Sequence, residues 1–88
     1  MRRYRQAIKQ RAFEVLGQEC LRCGFDADLR ALEFDHVAND GKKHRKEVGV
    51  GGALMLAWIV KHPAEALQRV QVLCANCNTI KEAVHRAI

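Results

Sequence analysis

Val70-Gln71-Val72-Leu73-Cys74-Ala75-Asn76-Cys77-Asn78-Thr79-Ile80-Lys81 is the stretch of this sequence that decides the fold. Its alternating apolar start predicts a strand over residues 70–73. A C-x-x-C turn follows, and a helix is predicted over about residues 76–87, with apolar Ile80, Ala83, Val84 and Ala87 on one side. A turn that can bind a metal therefore joins a strand directly to a helix.

A matching C-x-x-C unit, Cys20-Leu21-Arg22-Cys23, lies far upstream. Zinc takes four ligands in a tetrahedron, and each C-x-x-C turn presents two thiolates to one ion. Disulfides, a redox-active C-x-x-C and unrelated core cysteines are the alternatives that this pattern leaves open. A short domain gains folding free energy from a metal, which favours a structural zinc site at Cys20, Cys23, Cys74 and Cys77. The two pairs would meet across an insert formed by residues 24–73.

The length and charge indicate one small basic domain. The chain has 88 residues and a net charge of +5. The basic residues form two runs: Arg2, Arg3, Arg5, Lys9 and Arg11, then Lys42, Lys43, Arg45 and Lys46. Both runs favour phosphate contact, with a solvated surface as the alternative. No apolar segment follows the basic N-terminus and the apolar run 53–60 is too short for a bilayer, so we expect an intracellular, cytoplasmic protein without a membrane partner.

The rest of the chain predicts an α+β domain. The expected elements are a helix over 3–16 ended by Gly17, a loop over 18–29, a strand over 30–35, a polar loop over 39–52, a helix over 53–61 and a short helix opened by Pro63. We treat residues 1–88 as a single domain, with a basic N-terminal helix in 1–17 and the zinc-stapled core in 18–88. Trp58 is expected in the core.

Asp35 and His36 close the first predicted strand, in the segment Leu32-Glu33-Phe34-Asp35-His36-Val37. An aspartate that binds a cation and a histidine that takes a proton from water could bracket one phosphate. Asn78, fixed by the neighbouring zinc ligand Cys77, adds an amide oxygen suited to magnesium or manganese.

Three polar residues follow Asn78 on the same face of the last predicted helix. Lys81 could contact a phosphate and Glu82 could be a further metal ligand, with an ordinary polar face as the alternative for both and for His85. His44, in the predicted loop, could be a second proton or phosphate contact.

Together these motifs resemble the HNH endonucleases, and among them the zinc-containing branch of small phage nucleases and of recombination endonucleases of the endonuclease VII type. The resemblance covers about residues 20–81 and rests on the ordered set C-x-x-C, Leu-Glu-Phe-Asp-His-Val and Val-Leu-Cys-Ala-Asn-Cys-Asn-x-x-Lys. It implies a ββα-metal (His-Me finger) nuclease core stapled by a four-cysteine zinc site, here with an added N-terminal helix and an inserted helical segment. It also implies that the chain is a hydrolase, of a kind that phages can encode.

The resemblance implies specific roles. His36 is the general base, Asp35 and Asn78 hold a catalytic divalent cation (Mg²⁺, Mn²⁺ or Ni²⁺), and the products carry 5′-phosphate and 3′-hydroxyl ends. Two positions depart from the common pattern. Arg69 stands where many members have an asparagine that orients the catalytic histidine, so we expect a backbone carbonyl to hold His36. Asn78 stands where many members have histidine, as in the endonuclease VII pattern.

The expected partner is DNA, bound mainly through its backbone with low sequence specificity, by a monomer or weak dimer that needs no small organic cofactor. Three alternatives remain: a catalytically inactive nucleic-acid-binding zinc module, a nuclease that resolves branched DNA, and a zinc adaptor between proteins. The first would have no reason to combine Asp35, His36 and Asn78.

Overall fold

The computed structural model describes the backbone of residues 2–49 and 53–87 and the side chains of residues 5–49 and 54–87. Its elements are α1 (Arg2–Leu16), a 3-10 turn (Leu29–Ala31), β1 (Leu32–His36), α2 (Gly41–Val48), α3 (Ala53–Lys61), α4 (Pro63–Arg69), β2 (Val70–Cys74) and α5 (Ala75–Ala87). The predicted α+β class is therefore confirmed. Within these residues, every helix is too short or too polar to span a membrane.

The two strands form one antiparallel pair, although most of the chain separates them. Leu32 is paired with Cys74 and His36 with Val70. Helices α2, α3 and α4 lie between the strands in sequence, and α5 follows β2 and packs against both strands. The register places the end of β1 beside the start of β2, with α5 lying across the pair.

The N-terminal helix supplies much of the core. Ala12 and Phe13 of α1 are buried, and the Phe13 ring stacks on Phe34 of β1 with 4.5 Å between the ring centroids. The helix ends as predicted at Gly17, whose φ of +109° is in the region that favours glycine. Helix α1 also packs against α3, where Ile59 is buried. Helix α1 therefore packs against both β2 and α3.

Helix α2 is the main difference from the sequence expectation, because we predicted a loop over residues 39–52. Its described part forms a helix from Gly41 to Val48, which ends at Gly49 with φ of +71°. Residues 50–52 of the predicted loop lie outside the described residues. The buried residue of α2 is His44, a polar one. The spacing of apolar residues does not reveal a helix whose buried side chain is a histidine.

The last helix has an exposed apolar side. Ile80 and Val84 are about half exposed, and the buried residue of α5 is Cys77. The helix is therefore anchored by its first turn rather than by an apolar stripe along its length. Asn78 and Lys81 lie near this anchored N-terminal end of α5.

Candidate functional site

The four cysteines meet in space, as the sequence predicts. The sulfur atoms of Cys20, Cys23, Cys74 and Cys77 all lie within 4.8 Å of one another, and all four residues are free thiols. The Cys23 and Cys74 sulfurs are 3.7 Å apart. A zinc–sulfur bond of about 2.3 Å gives a tetrahedron with sulfur–sulfur edges of roughly 3.8 Å. The cluster thus has the ligand set and the spacing of a structural zinc site.

Backbone N–H groups support the cluster from both C-x-x-C turns. The N–H of Cys23 points at the Cys20 sulfur at 3.4 Å, and the N–H of Cys77 points at the Cys74 sulfur at 3.5 Å. In the first turn, Gly24 adopts φ of +81° while its N–H donates to the Cys20 carbonyl at 2.8 Å. Such donors stabilise thiolates and fix the direction of the ligands.

The thiols differ in how readily they ionise. Burial opposes ionisation of Cys20, but backbone N–H groups from Cys74, Cys23 and Arg22 outweigh it and lower its pKa to about 6. Burial, together with the neighbouring thiols, raises the pKa of Cys77 to about 12. Four packed thiols cannot all ionise without a cation to compensate the charge. The cluster therefore suits a metal ion better than four free thiolates.

The residues predicted to be catalytic line one open groove of about 350 Å³. Asp35 and His36 reach it from the end of β1, and Asn78 reaches it from the first turns of α5. The remaining lining residues are Phe34, Asn39, Gly41, Lys42, Arg45, Glu82 and His85. The second cysteine pair ends β2 and begins α5, so the same cluster fixes the position of Asn78.

The side-chain ammonium of Lys81 is surrounded by oxygen atoms of residues that line this groove. Its ammonium is 3.1 Å from an Asp35 carboxylate oxygen and donates to the carbonyl of His36 at 3.1 Å. It also donates to the side-chain oxygen of Asn39. Gln71, which pairs with Asp35 across the sheet, donates to that carboxylate at 2.9 Å. A carboxylate and two carbonyl oxygens around one positive charge form an arrangement that also suits a hard divalent cation.

The hydrogen-bond partner of the Asn78 amide nitrogen is Glu33. The Asn78 Nδ2 group donates to Glu33 Oε1 at 2.6 Å. Since the nitrogen is engaged, the carbonyl oxygen of this amide is left as its acceptor end. Glu82, the additional candidate ligand, lines the groove but accepts a hydrogen bond from Arg86 at 2.8 Å.

The ring of His36 is held by another histidine, whereas we expected a backbone carbonyl. His36 Nε2 lies 2.8 Å from Nδ1 of His44, which is fully buried. Burial, together with the charge of His44, lowers the pKa of His36, and burial likewise lowers that of His44. Lowered values keep an imidazole neutral at pH 7, the form that accepts a proton.

Arg69, at the position of the missing asparagine, acts on a neighbouring element. Its guanidinium donates to Asp40 at 2.8 Å and to Glu47 at 3.2 Å, and its hydrogen bond lowers the pKa of the Asp40 carboxyl. Asp40 precedes the first residue of α2. Arg69 thereby braces the helix that carries His44, and its positive charge also contributes to the lowered pKa of His36.

The predicted DNA-contact residues are divided between several surfaces. Lys42 and Arg45 line the groove, whereas Lys43 and Lys46 are exposed elsewhere on α2. On α1 the exposed basic residues, which lie outside the groove lining, are Arg5, Lys9 and Arg11. The side chains of Arg2 and Arg3 lie outside the described residues.

Sequence reasoning missed the supporting residues of the site. Glu33 and Gln71 were seen only as polar strand positions, and Asn39 only as a loop residue. The strand register, if known, would have placed Gln71 opposite Asp35. Trp58 was expected in the core; it packs against the core cluster that contains Ile59 but stays partly exposed, and its ring meets the His44 ring at 84°, with 4.3 Å between centroids.

No family model, curated protein or solved structure matches the chain.

Proposed function

We propose that the chain is a DNA endonuclease of the HNH type that depends on a divalent metal and uses His36 as general base. The observation that carries the proposal is the meeting of Asp35, His36 and Asn78 in one groove. Two of these come from the end of an antiparallel strand and one from the helix that follows its partner strand. This is the order of a ββα-metal site, with a zinc ion at the four cysteines as its structural staple.

The donor chemistry around Asp35 supports a catalytic cation. The Asp35 carboxylate and the Asn39 side-chain oxygen already surround a positive charge, that of Lys81. Asn78 offers its carbonyl oxygen, since Glu33 engages the amide nitrogen. Oxygen donors of this kind fit Mg²⁺ or Mn²⁺. When bound, such an ion stabilises negative charge on the phosphate and on the departing oxygen.

His36 does the proton chemistry. Its Nδ1 takes a proton from water, the water oxygen forms a bond to phosphorus, and the bond from phosphorus to the 3′ oxygen breaks. The 3′ oxygen takes a proton from solvent, which leaves 3′-hydroxyl and 5′-phosphate ends. The lowered pKa of His36 keeps the ring neutral and ready to accept at pH 7.

The groove walls supply phosphate contacts. Lys42 and Arg45 border it from α2, and Lys81, once displaced from Asp35 by a cation, is near enough to reach a phosphate oxygen. Contacts of this kind position the DNA backbone and carry no base information. We therefore propose low sequence specificity.

The test is plasmid nicking by the zinc-loaded protein with added magnesium, manganese or nickel. His36→Ala should reduce the cleavage rate by at least about 100-fold because it removes the general base. Its zinc content should match that of the wild type, and His62→Ala, which changes an exposed histidine, should cleave normally. The proposal fails if duplex, branched and single-stranded DNA all stay uncut with every metal, an outcome that favours a non-catalytic DNA-binding module.

A further inference from the structure

His44 is an unusual residue to find fully buried. Histidine is mostly found at intermediate burial, and a buried polar ring needs partners. Its Nδ1 has one, the Nε2 of His36 at 2.8 Å. Its Nε2 is buried without a hydrogen-bond partner among the described residues. A leucine of similar bulk would fill this space at lower cost, so packing alone does not account for a histidine here.

The position of His44 is fixed independently of His36. One side of its ring meets Trp58 at 84°, with 4.3 Å between centroids. The N-terminal end of its helix is braced by the Arg69–Asp40 ion pair at 2.8 Å. Because the ring is set by its own surroundings, it can impose a direction on the partly exposed ring of His36.

The hydrogen bond decides which nitrogen of His36 faces the groove. Nε2 is turned toward His44, so Nδ1 is the atom left for chemistry. Nδ1 lies beside Gly41, another groove residue, and so close that a Cβ at that position would come within 2.9 Å of it. The glycine therefore leaves beside Nδ1 the space that a Cβ would fill.

We propose that His44 is the positioning residue of His36: it accepts a hydrogen bond from the Nε2–H group and so holds the Nδ1 lone pair toward the groove. This inference rests on the nuclease function proposed above, because the direction of the lone pair matters only if His36 acts as a base. His44 thereby takes the place of an orienting side chain that Arg69 cannot supply.

The hydrogen bond couples the tautomers of the two rings. If His36 carries its proton on Nε2, His44 must accept at Nδ1 and carry its own proton on the buried Nε2. That N–H has no conventional acceptor among the described residues. In a perpendicular ring contact, such as the one between His44 and Trp58, an N–H group of one ring can point at the face of the other. The opposite tautomer would place a proton on His36 Nδ1 and leave no base in the groove.

The test compares two substitutions whose effects on stability and on cleavage should run in opposite directions. His44→Leu removes a buried polar ring, so thermal unfolding should stay at or above the wild-type temperature, while kcat falls on the order of 100-fold at unchanged KM. His44→Asn leaves a space and should lower the unfolding temperature, yet its carbonyl oxygen near the Nδ1 position should keep kcat within about tenfold of the wild type. His62→Leu is the matched control, since His62 touches the same Trp58 ring from an exposed position and should change neither quantity.

A second readout needs no cleavage and separates this inference from the proposed function. The ¹⁵N chemical shifts of the His36 ring distinguish a protonated from a bare nitrogen in the zinc-loaded protein. We expect a proton on Nε2 in the wild type and loss of this preference in His44→Leu, even if the wild type cuts no DNA. A proton on Nδ1 in the wild type, or a wild-type cleavage rate in His44→Leu, would overturn the role of His44.

Discussion

At the scale of single residues, the oxygen atoms around the Lys81 ammonium are of a kind that could also hold a divalent cation. The ammonium lies against Asp35, and both side chains are less than one-fifth exposed. A divalent cation that used the same carboxylate would meet this ammonium at close range. The two positive charges would therefore compete for Asp35, and binding of the cation would require the ammonium to move.

Replacing this lysine should strengthen binding of the divalent cation. In Lys81→Met the ion no longer has to displace an ammonium, so we expect Mn²⁺ to bind roughly tenfold more tightly, a modest part of the ~4 kcal/mol between unit charges 4 Å apart near a protein surface. Calorimetric titration of the zinc-loaded protein with Mn²⁺ measures the change. Lys46→Met, which removes an exposed charge from α2, is the control. Equal or weaker Mn²⁺ binding in Lys81→Met would show that the lysine does not compete.

The sequence alone pointed to candidate reactive residues more readily than to the residues that support them. Asp35 and His36 were proposed because their side chains have few structural uses side by side at a strand end. The partner of His36 was not found, since the direction of an imidazole depends on where a different helix puts His44. Residue type predicts chemistry, whereas orientation depends on packing between elements.

At the scale of elements, α2 carries the only large error in the predicted secondary structure of the described residues. Asn39-Asp40-Gly41 has the composition of a turn, and the basic residues after it have no apolar stripe. Helices α1 and α3 were predicted correctly because their buried faces are apolar. Helix α2 was missed because its buried side chain is that of His44 and because Asp40 and Glu47 form ion pairs with Arg69, so no apolar stripe marks the helix.

The faces of α2 should differ in their effect on DNA affinity. In a His36→Ala background, where DNA stays uncut, the double substitution Lys42→Gln and Arg45→Gln removes the two basic residues that line the groove. It should weaken DNA binding and reduce the slope of log affinity against log salt by up to about 2, since each lost phosphate contact removes roughly 0.9. Fluorescence anisotropy at several salt concentrations measures both quantities.

The same helix offers a control of identical charge. Lys43→Gln with Lys46→Gln removes two positive charges that lie outside the groove lining. We expect a smaller loss of affinity and a nearly unchanged slope. If DNA affinity falls equally in both double variants, the helix acts as a diffuse positive surface. The groove is then not the place where the DNA backbone binds.

At the scale of the whole molecule, the cysteine cluster joins the two ends of the described chain. It connects the turn after α1 to the junction of β2 and α5, and the larger core cluster includes Cys20, Cys74 and Cys77. Structural zinc contributes about 10–16 kcal/mol of apparent binding free energy in small peptides, as much as a typical domain's entire stability of about 5–15 kcal/mol. Metal and core are therefore parts of one folding unit.

Loss of one cysteine should consequently unfold the domain. The wild type should bind about one zinc ion per chain, and Cys77→Ser should bind less. The substitution should also abolish the cooperative thermal transition followed by circular dichroism. Asn76→Ser, an exposed change within the same turn, should retain both. A wild-type protein that keeps its fold after thorough chelation, with disulfides found by mass spectrometry, would contradict the zinc assignment.

The long separation between the paired strands has a consequence for synthesis on the ribosome. β1 and the first cysteine pair emerge early, but their partners β2 and the second pair emerge only near the end of the described chain. Pairing over such a distance delays folding until both segments are available. A nascent chain that already carries Asp35 and His36 still lacks the metal staple and the helix that complete their groove. Premature termination before Cys74 would thus release a fragment that lacks both the second cysteine pair and Asn78.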